Sequence, residues 1–275
     1  MNKKQKHGAP RPVNVTQKRS LKTIVLDIET APALVYTFGL FNVTISLDKV
    51  VKPTAILSVS WKFLDGDKVY FWSTRDRKDP WDDYDLCQSL WGLINGCDAV
   101  ITHNGRRFDM PLIYGRFFHH GLPPVRKPQE LDTLIMARQV GKHFSGKLAH
   151  LSSRLDAKKS EHCKFPGFAL WRGVLDKDPE AWAEMEDYNS KDVEATEMLF
   201  KALLPYSKTS IQWSAPEAGK PVCPKCGSPK LQKRGVLNTT AGAYQRFKCL
   251  DCGGWSQSRH TSRDRNVSKS ILKGI

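Results

Sequence analysis

The sequence predicts an α/β protein with a mixed sheet flanked by helices, followed by a small cysteine-rich domain. Apolar runs typical of buried strands alternate with segments whose apolar residues have helical spacing, all within residues 21–207. Four of the seven cysteines lie in two Cys-x-x-Cys pairs within residues 221–260. The segment between these regions, 208–220, is rich in Ser, Pro, Gly and Thr, which is typical of a linker.

Charge is unevenly distributed along the chain. The formal net charge is +15, and it divides into +7 for residues 1–22, −2 for residues 23–207 and +10 for residues 208–275. Basic tails at 1–20 and 261–275 around a nearly neutral body indicate a polyanionic partner, most simply nucleic acid. For the N-terminal tail, a solvated segment without a partner is the alternative.

Nothing in the sequence indicates a membrane span. The uncharged segment Ala31–Leu47 is interrupted by Pro32, Gly39 and Asn42, and is therefore a poor candidate for crossing a bilayer. The first twenty residues are polar and basic, unlike a secretory signal. We therefore expect a cytoplasmic protein that does not associate with a membrane.

The first predicted strand, Lys22–Thr30, is apolar except for two acidic residues. Asp27 and Glu29 lie two residues apart, so in a strand their side chains point to the same face. Burying two carboxylates together is unfavourable unless a cation lies between them. The strand therefore predicts a cation site. The alternative is an amphipathic edge strand whose acidic face is exposed to solvent.

Three more strands and one helix follow. Apolar spacing predicts strands over 54–63, 68–72 and 98–102 and a helix over 83–94. The first two of these strands complete an antiparallel meander with Lys22–Thr30. Between the first and second strands, Tyr36, Phe38 and Phe41 are interpreted as packing within an apolar loop, with clamping of a base as the alternative.

Two later helices carry further polar candidates. A turn at Asn104 precedes a helix whose first turn contains Asp109, a position favoured for a carboxylate. A helix over Pro179–Leu204 places Tyr188 and Asp192 four residues apart on one face. Taken singly, Asp109 is typical of a helix cap, and the Tyr–Asp pair is typical of a core aromatic beside a surface acid.

Taken together, these segments resemble the three motifs of the DEDD superfamily of 3′-to-5′ exonucleases, in the variant with tyrosine in the third motif. The motifs are DIET at 27–30, HNGRRFD at 103–109 and YNSKD at 188–192. They look most like the proofreading exonuclease of B-family DNA polymerases. Asp187 occupies the position at which the histidine variant of the superfamily has its histidine, which disfavours that variant.

The resemblance implies an RNase H-like fold and a catalytic site with two Mg²⁺ or Mn²⁺ ions. The implied catalytic residues are Asp27, Glu29, Asp109, Tyr188 and Asp192. The four acids are the implied metal ligands, consistent with the preference of these ions for carboxylate oxygens, and the tyrosine orients the attacking water. Asn104 and Phe108 are the implied contacts to the terminal nucleotide, with burial in the core as the alternative for Phe108.

The C-terminal domain contains a second candidate metal site. Cys223, Cys226, Cys249 and Cys252 form the pairs CPKC and CLDC, separated by 22 residues. Four thiolates at this spacing suit one structural Zn²⁺, and the segment resembles a zinc ribbon. A pair of disulfides is the alternative. Basic residues beside aromatic ones suit contact with nucleic acid, and a protein partner of the ribbon is the other interpretation.

The predicted fold class is thus α/β, an RNase H-like mixed sheet flanked by helices plus a small zinc-ribbon domain. The predicted function is a metal-dependent 3′-to-5′ exonuclease for single-stranded or frayed DNA, with the ribbon and the tails adding affinity. A ribonuclease or a structure-specific endonuclease on the same fold is the alternative enzyme. A nucleic-acid-binding adaptor with a degenerate nuclease domain is the alternative of another class, and the complete acidic set disfavours it.

Overall fold

The computed structural model describes residues 21–155, 164–208, 220–270 and 272. The predicted tail 1–20, most of the linker 208–220 and the end of the tail 261–275 lie outside the described residues. The strands are β1 Thr23–Ala31, β2 Leu34–Val35, β3 Val50–Lys52, β4 Ala55–Phe63, β5 Tyr70–Ser73, β6 Ala99–Thr102, β7 Gln129–Asp132, β8 Leu231–Asn238, β9 Ala243–Cys249 and β10 Trp255–Gln257. The helices are α1 Tyr84–Gly96, α2 Asp109–His119, α3 Thr133–Val140, α4 Leu148–Leu151, α5 Ala169–Leu175, α6 Pro179–Leu203 and α7 Arg265–Lys269.

A five-stranded mixed sheet forms the centre of the larger domain, with strand order β5-β4-β1-β6-β7. The pairs β4–β5 and β1–β4 are antiparallel, which confirms the predicted meander, whereas β6 and β7 continue the sheet in parallel with β1. Strand β1 is central, and its residues Ile24, Val25 and Leu26 are buried. A buried central strand needs apolar residues on both faces, as this run provides.

Helices cover both faces of the sheet. On one face, apolar residues of α1 and α2 pack on β1 and β4; on the other, α3 and α6 pack on β1, β6 and β7. The 25-residue helix α6 begins with Pro179, and the side chain of Asp178 caps it by accepting from the amides of Glu180 and Ala181. This helix lies across β1 and β4 and therefore presents its middle to the centre of the sheet.

The chain between β1 and β4 differs from the prediction. The two-residue and three-residue strands β2 and β3 pair with each other, and the loop between them carries Tyr36, Phe38 and Phe41 with their rings exposed. The interpretation of these aromatics as apolar loop packing is therefore wrong. The short β2–β3 pair holds only the base of the loop, and no described element covers its tip.

A buried ion pair joins α1, α2 and β4. The carboxylate of Asp83 accepts hydrogen bonds from Nε and Nη2 of Arg116, at 2.8 and 2.5 Å, and from the backbone amide of Ile56 at 2.9 Å. His120 Nε2 lies 2.6 Å from the same carboxylate. Burial opposes ionisation of Asp83, but the hydrogen bonds from Arg116, Ile56 and His120, together with the charge of Arg116, outweigh it and lower the pKa of this carboxyl. Three elements thus depend on one charged contact.

Replacing Arg116 with methionine should lower the free energy of unfolding by about 3–5 kcal/mol, because the charge of Asp83 would remain buried without its main partner. Urea unfolding at pH 7 measures this loss. The matched control is Arg126→Met: that guanidinium also pairs with an aspartate, Asp98, but is 57% exposed, so the loss should be under about 1 kcal/mol.

The same pair predicts a pH dependence. Because the pKa of Asp83 is lowered by folding, its contribution to stability is present above about pH 4 and is lost as the pH falls through the folded-state pKa. The stability difference between the wild type and Arg116→Met should therefore narrow in acid. A difference that stays constant from pH 7 to pH 3 would contradict the role given to Asp83.

Candidate active site

The fold brings the four predicted acids together at one place on the sheet. Asp27 and Glu29 lie in the second half of β1, Asp109 is the first residue of α2, and Asp192 lies in the middle of α6. The backbone amide of Ile28, between the two acids of β1, donates to Asp109 Oδ1 at 3.2 Å. Residues separated by up to 165 positions in the chain therefore form one acidic cluster.

The carboxylates of this cluster raise one another's pKa values. Burial is the largest cause for Asp27, followed by repulsion from Asp109, Glu29 and Asp192. Burial followed by repulsion from Asp192 and Asp109 raises the pKa of Glu29 to about 8. Burial also raises the pKa of Asp109 to about 7. Among the described residues, no cationic side chain is a cause of the shifts of Asp27, Glu29 and Asp109.

A divalent cation fits this donor set. Mg²⁺ and Mn²⁺ prefer carboxylate and water oxygens, and Mg²⁺ usually binds one or two carboxylates together with substrate phosphate oxygens. In the described part of the chain, no three of the four acids have ligand oxygens all within 4.8 Å of one another. The acids are thus spaced more widely than the ligands of a closed metal site, which suits ions that also coordinate water and phosphate oxygens.

Tyr188 lies one helical turn before Asp192 on α6 and hydrogen-bonds to it. Burial, followed by the negative charges of Asp192, Glu29 and Asp27, raises the pKa of this phenol above its usual value. The ring edge of Tyr188 meets Trp171, with centroids 6.4 Å apart. A phenol with a raised pKa remains protonated at neutral pH, so Tyr188 is a hydrogen-bond donor and not a base.

A buried asparagine that the motif analysis missed holds Asp27. Asn189 is fully buried, and its Nδ2 donates to Asp27 Oδ2 at 2.6 Å. Its Oδ1 accepts from the hydroxyl of Ser58 on β4 at 3.2 Å. In the sequence, Asn189 is only one of the three residues between Tyr188 and Asp192, and this spacing gives it no role of its own. Its amide links α6, β1 and β4 at the acidic cluster.

The loop of the second motif depends on another residue that was missed. Asp132, at the end of β7, accepts from the amides of Asn104 at 3.0 Å and Arg106 at 3.2 Å while also capping α3. Asn104 has φ of 64°, the left-handed region that asparagine tolerates better than most residues. A Cβ atom at Gly105 would lie 2.2 Å from Thr102 Oγ1, so this position requires glycine. The loop is therefore held in one conformation directly before α2.

Phe108 precedes Asp109 and is 48% exposed. The alternative that Phe108 is a core residue is therefore wrong. An exposed aromatic ring next to the acidic cluster is available for contact with a ligand, and contact of Phe108 and Asn104 with a nucleotide stays a prediction.

The four cysteines of the second domain converge as predicted. Cys223 Sγ lies 3.8 Å from Cys252 Sγ, and Cys226 Sγ lies 3.6 Å from Cys249 Sγ. A tetrahedral Zn²⁺ with Zn–S bonds of about 2.3 Å places its sulfurs about 3.8 Å apart, so the group fits zinc. All four are free thiols, and a disulfide needs sulfurs about 2.05 Å apart, so the disulfide alternative is wrong.

The knuckles of this site flank a small antiparallel sheet of order β10-β9-β8. At Cys249, burial disfavours the thiolate, but hydrogen bonds from the amides of Cys252 and Asp251 outweigh it and lower the pKa to about 7. Backbone amides that point at a thiolate are the support that a metal-binding cysteine needs. The C-terminal domain thus has the form of a zinc ribbon.

The described part of the chain contains no helix long and apolar enough to span a bilayer.

Comparisons with known proteins give one family match and one structural neighbour. Residues 24–204 match the model of the RNase_H superfamily. Among solved structures, the family B DNA polymerase from the hyperthermophilic archaeon Pyrobaculum calidifontis aligns with a TM-score of 0.48 and 15% identity, over 73% of this chain and 26% of the polymerase chain. This chain thus corresponds to about a quarter of that polymerase's length. No curated protein sequence matches the chain significantly.

The family match covers well over half of the chain and includes every element of the five-stranded sheet. The predicted fold class, an RNase H-like mixed sheet flanked by helices with a small zinc-ribbon domain, is confirmed. The chain therefore belongs to the RNase_H superfamily.

Proposed function

We propose that the protein is a metal-dependent 3′-to-5′ exonuclease that hydrolyses phosphodiesters of single-stranded or frayed DNA. The observation that supports this most is the convergence of four acids and one tyrosine, from three separate motifs, on one acidic cluster. A cluster of this kind is stable when divalent ions and a phosphodiester complete it. The RNase H-like nuclease fold places the cluster at the centre of the sheet.

Asp27, Glu29, Asp109 and Asp192 are the residues that would hold two Mg²⁺ or Mn²⁺ ions. When bound, such ions stabilise negative charge on the attacking and leaving oxygens of an in-line displacement. Asn189 orients the Asp27 carboxylate through the 2.6 Å hydrogen bond to Oδ2. Tyr188, whose hydroxyl donates to Asp192, would orient the attacking water by accepting a hydrogen bond from it. The water would lose one proton to solvent as its oxygen bonds to phosphorus and the bond to the 3′ oxygen breaks. The 3′ oxygen would take up a proton from solvent, so the products are a 5′-phosphorylated nucleotide and a strand with a new 3′ hydroxyl.

The preference for a 3′ end rests on the second motif. Phe108 is exposed immediately before Asp109, where its ring can stack on a terminal base. Asn104 lies on the same constrained loop, where an amide can hydrogen-bond to the terminal nucleotide. The ribbon and the basic tails add affinity for the phosphate backbone. A ribonuclease or structure-specific endonuclease uses the same acids and is separated by the assay below.

Replacing Asp27 or Asp192 with asparagine should lower kcat by about 10³-fold or more, because the amide keeps the shape of the side chain but loses the charge that holds a metal ion. The matched control is Asp187→Asn, an acid on the same helix whose carboxylate pairs with Lys191 at the surface. It should retain wild-type activity. Full activity in purified Asp27→Asn protein would contradict the assignment of the site.

The same assay tests the polarity of cleavage. A 5′-labelled single strand incubated with Mg²⁺ or Mn²⁺ should give a descending ladder that a blocked 3′ end abolishes. Equal cleavage of a circular single strand would favour the endonuclease, and preferential cleavage of an RNA strand would favour the ribonuclease. Binding without metal-dependent cleavage of any substrate would favour the adaptor.

Tyr188→Phe should lower kcat by about 10- to 10³-fold with KM little changed, because one hydrogen bond to the attacking water is lost while all four metal ligands remain. Calorimetric titration with Mn²⁺ should show unchanged metal affinity. A variant that loses metal binding, or that unfolds at lower urea concentration by several kcal/mol, would show that Tyr188 has a structural role instead.

Purified protein should contain about one Zn²⁺ per chain after dialysis, and Cys249→Ser should release it, because a closed thiolate site couples metal binding to folding of the ribbon. Cys97→Ser is the matched control: this thiol belongs to the body and donates to the carbonyl of Ile94, which a hydroxyl can also do. Elemental analysis measures the zinc content of the wild type and of both variants. Zinc-free wild-type protein, purified under reducing conditions, would contradict the proposal.

A further inference from the structure

A groove of about 870 Å³ lies where the end of the larger domain meets the ribbon. One wall is the segment after α6, with Tyr206 and Lys208, and the other comes from β10 and its flank, with Trp255 and Arg259. The groove lies beyond Leu203, at the C-terminal end of α6. It is separate from the acidic cluster.

The two walls are joined by a specific contact. Lys225 of the first cysteine knuckle is buried, and its Nζ donates to the backbone carbonyl of Pro205. The adjacent Cys226 packs on the apolar cluster that contains Leu203 and Leu204. Because the ribbon is held against the end of α6 by both contacts, Tyr206 and Trp255 have a defined spacing across the groove.

Two large aromatic rings are exposed in this groove. Tyr206 is 72% exposed and Trp255 is 45% exposed. The guanidinium of Arg246 lies 5.0 Å from the centroid of the Trp255 ring, which fixes the ring by a cation–π contact. Exposed aromatic rings held in one orientation are stacking platforms for bases.

The charge of the groove selects the ligand class. Lys208 and Arg259 line it and are exposed, and no Asp or Glu lines it among the described residues. Residues 221–260 carry seven Lys or Arg and a single acid, Asp251, whose carboxylate pairs with Lys230 at 3.2 Å. A positive groove with stacking platforms suits a strand that has both phosphates and accessible bases, as single-stranded nucleic acid does.

We propose that this groove binds the part of a single strand that lies upstream of the cleaved end, with bases stacked on Tyr206 and Trp255. The inference rests on the proposed function for the location of that end. Asp192 and Leu203 are eleven residues apart on α6, which is about 17 Å along the helix. A dinucleotide at the acidic cluster is too short to reach the groove, whereas a 20-nucleotide strand extends well beyond it.

The test measures binding of a strand to the full-length Asp27→Asn protein, which does not require cleavage. A failure of the proposed nuclease activity therefore does not affect this measurement. Fluorescence anisotropy with 5′-labelled oligo(dT) of 20 nucleotides gives Kd. Trp255→Ala and Tyr206→Ala should each raise Kd by about 5- to 150-fold, the range expected for the loss of one base-stacking contact. Phe118→Ala removes an aromatic at the end of α2 that is even more exposed, at 88%, and should leave Kd unchanged.

Kinetics in otherwise wild-type protein supply the second readout. Trp255→Ala and Tyr206→Ala should raise KM for the 20-nucleotide strand and leave kcat/KM for a dinucleotide unchanged. Equal losses on both lengths would overturn the proposal, because the residues would then act at the cleaved end. Comparison of oligo(dT) with oligo(U) of the same length shows whether the groove distinguishes DNA from RNA.

Zinc content is measured for each variant, since Trp255 is part of the ribbon. If Trp255→Ala loses zinc, Tyr206→Ala and Arg259→Glu decide, because Tyr206 lies outside the ribbon and Arg259 follows its last strand. An unchanged Kd for the 20-nucleotide strand in the Tyr206→Ala, Arg259→Glu double variant with full zinc content would overturn the proposal and leave the groove as a site for a protein.

Discussion

Repulsion between the carboxylates of Asp27, Glu29, Asp109 and Asp192 is the constraint on which the rest of the larger domain depends. Isolated from cations, the cluster raises the pKa values of its own members, so the surrounding elements must hold the side chains against a force that separates them. Each backbone that carries an acid is well anchored: β1 is the central strand, α2 follows a loop held by Asp132, and α6 spans the sheet. Rigid backbones keep the acids close despite this repulsion, whereas a flexible site would open.

The sequence predicted most of the secondary structure that carries these acids, because strand and helix periodicities are local properties of the chain. It also located the acids themselves, since the motif spacing restricts them to three elements. It did not reveal Asn189 or Asp132, whose roles come from contacts over long sequence separations. Asn189 meets Ser58 across 131 positions, and Asp132 lies on the unpredicted strand β7. No regular sequence spacing marks a polar residue that orients an acidic side chain or a loop, so such a residue is recognised only in the folded structure.

The error at Tyr36, Phe38 and Phe41 has a related cause. An apolar residue is buried only if another element packs on it, and the tertiary structure decides whether one does. Strand β1 of the same region was predicted correctly because its apolar run is long enough to require burial on both faces. The loop after it has comparable hydropathy, but only its base is paired, between β2 and β3. Large exposed apolar patches are uncommon on soluble domains, so this loop is a distinct surface feature of the molecule.

The charge distribution follows from the chemistry of the acidic cluster. On the proposed function, a site made of carboxylates repels a polyanion until cations are bound, so the charge that attracts the substrate lies elsewhere on the molecule. The body, residues 23–207, has a net charge of −2 and cannot supply it, whereas residues 208–275 carry +10. The contact between Lys225 and Pro205 attaches the ribbon to the end of α6, the same helix that carries Tyr188 and Asp192. On the proposed function, catalysis belongs to the larger domain and long-range attraction of the substrate belongs to the basic C-terminal part.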